Sequence, residues 1–134
     1  MGILEEIGAL LVANSLGTLG SDLFLVRTPP VPDACTTIYE TGGKAPDYTH
    51  DQAAPRYENP TIKVIVRSDK EKNYKAAKDK ARQIWLVLGA IRNQNLSGTR
   101  YLSIVPIQSP FSLGPDENNR LLISANYELE KEPS

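Results

Sequence analysis

The sequence predicts an α+β fold: a mostly antiparallel β-sheet packed against one long amphipathic helix, with a second helix at the amino terminus. Three observations carry this expectation. From Thr61 to Arg67, Ile62, Val64 and Val66 share one face and Lys63 and Arg67 the other, the period of two of a half-buried strand. Directly afterwards Ser68, with Glu71 three residues on, forms a capping box, and Tyr74, Ala77, Ala81, Ile84, Leu88 and Ile91 recur at spacings of three and four on a stripe that Trp85 widens. Near the carboxyl end, Leu121, Ile123, Ala125, Tyr127 and Leu129 alternate with Arg120, Ser124, Asn126, Glu128 and Glu130, giving a strand over 119–130 with one dry face.

The elements follow in order along a single domain, 1–134. Residues 2–14 suit a helix with Ile3, Ile7, Leu10 and Leu11 on one side, within an amino-terminal region 1–20 where Gly17 is a plausible C-cap. Asp22–Arg27 reads as a short strand stopped by Pro29 and Pro30, and Cys35–Glu40 as a second strand. Residues 41–59 read as a long loop, because Gly42–Gly43, Pro46 and Pro55 punctuate it. The main helix is expected over 69–92. Arg100–Gln108 has apolar residues on both faces, as in the middle of a covered sheet, and Pro110–Asn118 reads as the hairpin loop before the last strand.

Composition narrows the function classes. A chain of 134 residues with 40% hydrophobic content is an ordinary globular domain. Its amino terminus lacks the basic-then-apolar layout of a signal peptide, and no apolar run approaches the ~20 residues of a membrane span, so a cytosolic site of synthesis and no membrane partner are expected. The net charge of −1 hides an asymmetry: residues 1–59 sum to −5 and residues 60–134 to +4. Lys72, Lys75 and Arg82 fall opposite the apolar stripe of the helix, either as a patch for nucleic acid or an acidic partner or as a solvated face. No aromatic residues interleave with them to stack bases.

Chemistry-bearing constellations are scarce. The lone His50 lies in the polar loop and the lone Cys35 on a predicted strand, which suits a solvated histidine and a buried structural cysteine rather than a nucleophile pair. Asp47, His50 and Asp51 are closely spaced, but no known metal-site pattern surrounds them. Gly42-Gly43-Lys44 lacks the glycine spacing and following hydroxyl of a phosphate loop. No catalytic, cofactor-binding or metal-binding residue is therefore assigned, and the chain reads as a non-enzyme. Candidate interface residues are Tyr48, Arg56 and Tyr57, types enriched at interface centres, with Leu86, which projects from the polar side of the helix, and Phe111 of the hairpin loop. The 41–59 loop is expected to order against another protein.

Taken in order, Ile38-Tyr39-Glu40-Thr41-Gly42-Gly43, Pro60 with Arg67, Tyr74 with Ala77, Gly98-Thr99-Arg100-Tyr101, Pro110 to Asp116 and Arg120 resemble the tail terminator and minor capsid proteins of long-tailed bacteriophages. The resemblance covers about residues 35–130. It implies a structural protein of the virion's head-tail neck that assembles in the host cytoplasm as a ring, commonly a hexamer, on the end of the tail tube. Its implied partners are further copies of itself, the tail tube protein and a head completion or connector protein, with DNA passing through the ring without sequence-specific binding. Another neck component, such as the head completion protein itself, is the alternative.

Overall fold

A computed structural model describes residues 2–47, 56–69 and 73–133. Its elements are α1 (Ile3–Ala13), β1 (Leu23–Leu25), β2 (Cys35–Asp47), β3 (Tyr57–Arg67), α2 (Tyr74–Gly89), β4 (Arg92–Leu96), β5 (Thr99–Pro106), β6 (Phe111–Pro115) and β7 (Leu121–Lys131). This corrects the expected fold class. A curled, mixed sheet of seven strands dominates, and the two helices are short, at 11 and 16 residues, so no long helix spans the sheet. The strand order is β1-β2-β3-β7-β5-β4, with β6 also paired to β7. β1 runs parallel to β2, whereas the other pairs are antiparallel.

The main helix is shorter than 69–92 at both ends, for physical reasons. Ser68 is drawn into the sheet: its N–H donates to the Leu121 carbonyl at 2.9 Å and its Oγ accepts the Leu121 N–H at 3.0 Å, so the hydroxyl is not free to cap a helix. Its expected capping partner Glu71 lies outside the described residues, and the N-cap position is Asn73. At the other end the Ala90 and Ile91 N–H groups reach back three residues to Val87 and Leu88, and the chain turns into β4. Ile91 stays buried, but as a link between elements. The apolar period runs on past the helix because the core does.

Three segments for which the sequence predicts no strand are strands. β2 and β3 continue far into 41–59, with Gly43 opposite Pro60, Lys44 opposite Asn59 and Asp47 opposite Tyr57, interrupted by bulges. Gly42–Gly43 looks like a turn in sequence, yet its role is close approach: a Cβ on Gly43 (φ +145°) would lie 2.2 Å from the Asn59 carbonyl oxygen. β4 has no β-branched residue to announce it. It pairs with β5 through Ser97 (φ 52°) and Gly98 (φ 93°), the left-handed pair of a tight hairpin turn. β6 occupies most of the expected loop 110–118, and the turn to β7 is built by Asp116, whose Oδ1 accepts the N–H groups of Asn118 and Arg120, each at 2.9 Å. The cap of α1 is Asn14 rather than Gly17.

Both helices lie on one face of the sheet. Ile7 and Leu11 of α1 and Ala77, Ala81, Ile84 and Leu88 of α2 join Ile38, Ile62, Val64, Ile104, Ile123, Ala125 and Tyr127 in one core. A carboxylate is buried within it. Glu6, 1% exposed, accepts hydrogen bonds from the Thr99 hydroxyl and from the Tyr101 hydroxyl at 2.9 Å, tying α1 to β5. Burial, followed by the hydrogen bond to Glu6, raises the Tyr101 pKa, so the phenol keeps the proton it donates. The Lys131 ammonium lies 6.0 Å from the Tyr101 ring centroid and 3.1 Å from the Glu58 carboxylate.

The opposite face has no helix. Part of it is covered by residues 26–34, which connect β1 to its parallel neighbour β2. Two arginines pin this crossover. Arg67 donates to the carbonyls of Asp33 (2.6 Å), Pro29 (2.8 Å) and Pro32 (2.6 Å), and Arg120 donates to the Pro30 carbonyl (2.7 Å), Asp33 Oδ1 (3.2 Å) and Asp116 Oδ2 (2.8 Å).

Replacing Arg67 by Met should leave three carbonyls without their donors and cost about 3 kcal/mol in urea unfolding. A loss below about 1 kcal/mol would show that water replaces the guanidinium without penalty. A pH effect follows from Asp116. Burial opposes its ionisation, but the Arg120 and Asn118 N–H groups and the Arg120 guanidinium hold its carboxyl below the usual carboxylate range. A depressed folded-state pKa contributes stability that is complete above the unfolded value of about 3.9 and disappears as pH falls toward the folded value. Asp116→Asn should therefore flatten the stability-pH profile below about pH 4, as read by denaturant titrations at stepped pH.

Candidate assembly surfaces

The sheet register aligns Phe24, Thr37, Ile65, Ser124 and Phe111 in one row across five strands on the helix-free face. The crossover closes over the β1–β3 part of that face, where Thr28 Oγ1 donates to Thr37 Oγ1 at 2.9 Å and also bonds the Tyr39 hydroxyl. Thr37 and Ser124 are buried. Beyond them the face opens. Val105, paired with Glu128, is 44% exposed; Ile107, whose N–H donates to the Asn126 carbonyl at 2.9 Å, is 53% exposed; Phe111, paired with Ser124, is 37% exposed. Alternation along β5 and β6 puts all three on one apolar stripe facing away from the helices.

The second surface is the outer side of α2. With Ala77, Ala81, Ile84 and Leu88 turned to the core, Lys75, Asp79, Arg82 and Leu86 form the opposite stripe, all exposed, Leu86 at 55%. Trp85 sits at the border between core and solvent. Its indole N–H donates to the Gln108 carbonyl at 3.1 Å, the Arg82 guanidinium lies 5.4 Å from its ring, and the neighbouring Lys78 ammonium donates to the Pro110 carbonyl. These contacts fix the corner at 107–110 and so hold Ile107 and Phe111 in place.

The sequence-derived interface residues do not form one patch. Arg56 and Tyr57 lie together at the described end of the β2–β3 hairpin, the guanidinium 5.4 Å from the phenol ring and the Arg56 N–H on the Asp47 carbonyl at 2.7 Å. Tyr48 lies outside the described residues, as do His50 and Asp51. Leu86 and Phe111 are exposed on opposite sides of the sheet. Val105 and Ile107 were missed because apolar residues on both faces of 100–108 suggest a covered strand; one of those faces is open. Val31, 71% exposed on the pinned crossover, carried no sequence signal beyond its prolines.

A cleft of about 420 Å³ separates α2 from the start of β2 and the end of β3, lined by Asp22, Cys35, Arg67, Asp69, Asn73 and Lys80 among others. Its chemistry is committed elsewhere. Cys35 is 5% exposed, and burial raises its thiol pKa against the opposing charges of Arg67 and Arg120, which suits an inert thiol. Arg67 spends its donors on the crossover. Among the described residues no group of three or more His, Cys, Asp or Glu side chains is placed to hold a metal ion, and no helix is long and apolar enough to cross a membrane.

Comparison with known proteins places these surfaces in context. A family model described as "Bacteriophage tail terminator protein" matches residues 10–133. Among solved structures, a chain from the "Virion of native gene transfer agent (GTA) particle" superposes with a TM-score of 0.53 at 19% identity, over 95% of this chain and 84% of that one. A second, of a protein bearing no descriptive name, superposes with a TM-score of 0.55 at 13% identity, over 97% of this chain and 92% of its own. At these identities the two likenesses show a shared fold. No curated protein matches.

Adjacent positions on α2 should separate folding from surface function. Ile84→Ala, at a fully buried site, should cost about 3 kcal/mol, whereas Leu86→Ser should change monomer stability by about 0.5 kcal/mol or less. Trp85→Ala should fall between them, since its ring is only partly buried. Denaturant unfolding of the three variants checks the order.

Proposed function

The chain belongs to the bacteriophage tail terminator family, and from that premise we propose that copies of it close into a hexameric ring on the end of the tail tube, halt tube growth and present a docking surface to a head completion or connector protein. As a member it is a structural, tail-associated virion protein. The match across residues 10–133 carries the reading. Two features of the fold support the finer part of it. The chain offers surfaces on opposite sides of one sheet, the arrangement from which head-to-tail contacts close into rings. A two-stranded hairpin that reaches Asp47 and Tyr57 past the packed core, with Glu40–Asp47 exposed, gives each copy a projection that can meet a neighbour or the tube. DNA passes through the ring without sequence-specific contacts, and assembly takes place in the host cytoplasm before the neck is complete.

Electron microscopy of the purified protein mixed with tail tubes tests this. Rings seated on one tube end, and overgrown tails when the protein is depleted from an infection, are expected. Normal tail length in its absence would overturn the reading. Arg56→Ala combined with Tyr57→Ala should leave the monomer folded, because both side chains lie at the exposed end of the hairpin, and should reduce capping of tubes.

A further inference from the structure

We infer that the exposed stripe of α2 on one copy docks onto the open part of the helix-free sheet face of the next, with Leu86 seated among Val105, Ile107 and Phe111. The inference rests on the ring reading above and names the contact that builds it.

Size, polarity and charge each match. On α2 the stripe Lys75, Asp79, Arg82, Leu86 spans about 16 Å at the rise of a helix. On the sheet, the positions from Val105 to Phe111 lie opposite Glu128 to Ser124 on β7, about 14 Å along a strand. Leu86, the one large apolar residue on its stripe, is 55% exposed and gains nothing within its own chain. The sheet stripe is likewise apolar and lacks a helix to cover it, although the other face of the same sheet carries two. Flanking charges are complementary. Arg82 lies one turn from Leu86, with Asp79 and then Lys75 further along the stripe, while Glu128 and Glu130 lie in the rows of Val105 and Ser103. Of the basic groups on that face, Lys63 lies against the Tyr39 ring at 5.6 Å, and Arg67 and Arg120 are spent on the crossover. A second copy is therefore the occupant that the chain's own surface chemistry fits. Since the two surfaces lie on opposite sides of the sheet, the contact is heterologous and repeats from copy to copy instead of stopping at a dimer.

The test uses the full chain with tail tubes. A Leu86→Cys, Ile107→Cys double variant should give, on mild oxidation, a ladder of disulfide-linked oligomers, and a mixture of the two single variants should give one cross-linked heterodimer. Arg82→Glu alone and Glu128→Lys alone should each lower ring formation about tenfold, because like charges then face each other. An equimolar mixture of these two should restore it, since every interface in an alternating ring regains opposite charges. Circular dichroism melts identical to wild type confirm that each variant folds. Wild-type rings that survive both charge reversals and give no cross-link would overturn this contact and leave the ring reading standing. Cross-linking of position 86 to the tube protein would assign the stripe to that partner and overturn it too. A wild-type protein that forms no ring on any tube would overturn both.

Discussion

The parallel pairing of β1 with β2 depends on a connection that has no helix in it. A parallel neighbour requires the chain to cross from one end of the sheet to the other, usually through a helix that satisfies its own backbone groups. Here residues 26–34 make that crossing as an irregular segment against the sheet. Pro29, Pro30 and Pro32 leave it short of N–H groups and rich in carbonyls, so what it needs is donors. Arg67 and Arg120 supply them from the end of β3 and the approach to β7; a guanidinium is donor-only and matches an acceptor-rich segment. Both arginines are nearly buried, at 5% and 8% exposure, and Arg120 is held in turn by Asp116 at the β6–β7 turn. One electrostatic joint thus couples three parts of the chain.

The rest of the architecture is arranged around β7. It carries β3 on one edge and β5, then β6, on the other, so a single strand sets the register of both halves of the sheet. Its odd-numbered residues face the helices and its even-numbered residues face the open side. The buried Glu6 bridge to Thr99 and Tyr101 works at the far end of the same sheet. Removing either hydroxyl would leave one buried Glu6 oxygen without its donor, which makes the position of α1 specific as well as stable.

The same division into a covered and an open face shapes the surface. Helices protect one side, the crossover protects part of the other, and what is left bare is the β5–β6–β7 region and the outer side of α2. These lie on rigid elements whose positions are fixed by Trp85, Lys78 and the β7 register rather than by loops. A preorganised surface loses little entropy on association. Charged groups at its rim would make association sensitive to ionic strength.

Local patterns were readable wherever one period belonged to one element. The alternations in 61–67 and 121–129 and the helical stripe from Ala77 to Leu88 follow from side-chain type and spacing, and the ordered motifs resembling phage tail terminators already pointed to the family. Helix ends, sheet class and the open face did not follow, because each depends on residues distant in sequence. Ser68 stopped being a cap when Leu121 took its hydroxyl, and Gly42–Gly43 stopped being a turn when Asn59 came close. The parallel strand needed two arginines from elsewhere. Exposure of Val105 and Ile107 was undecidable from an apolar pattern that is the same whether or not a second layer covers it. Spacing along a chain reports which side chains share a face; only long-range hydrogen bonds and packing decide what that face meets.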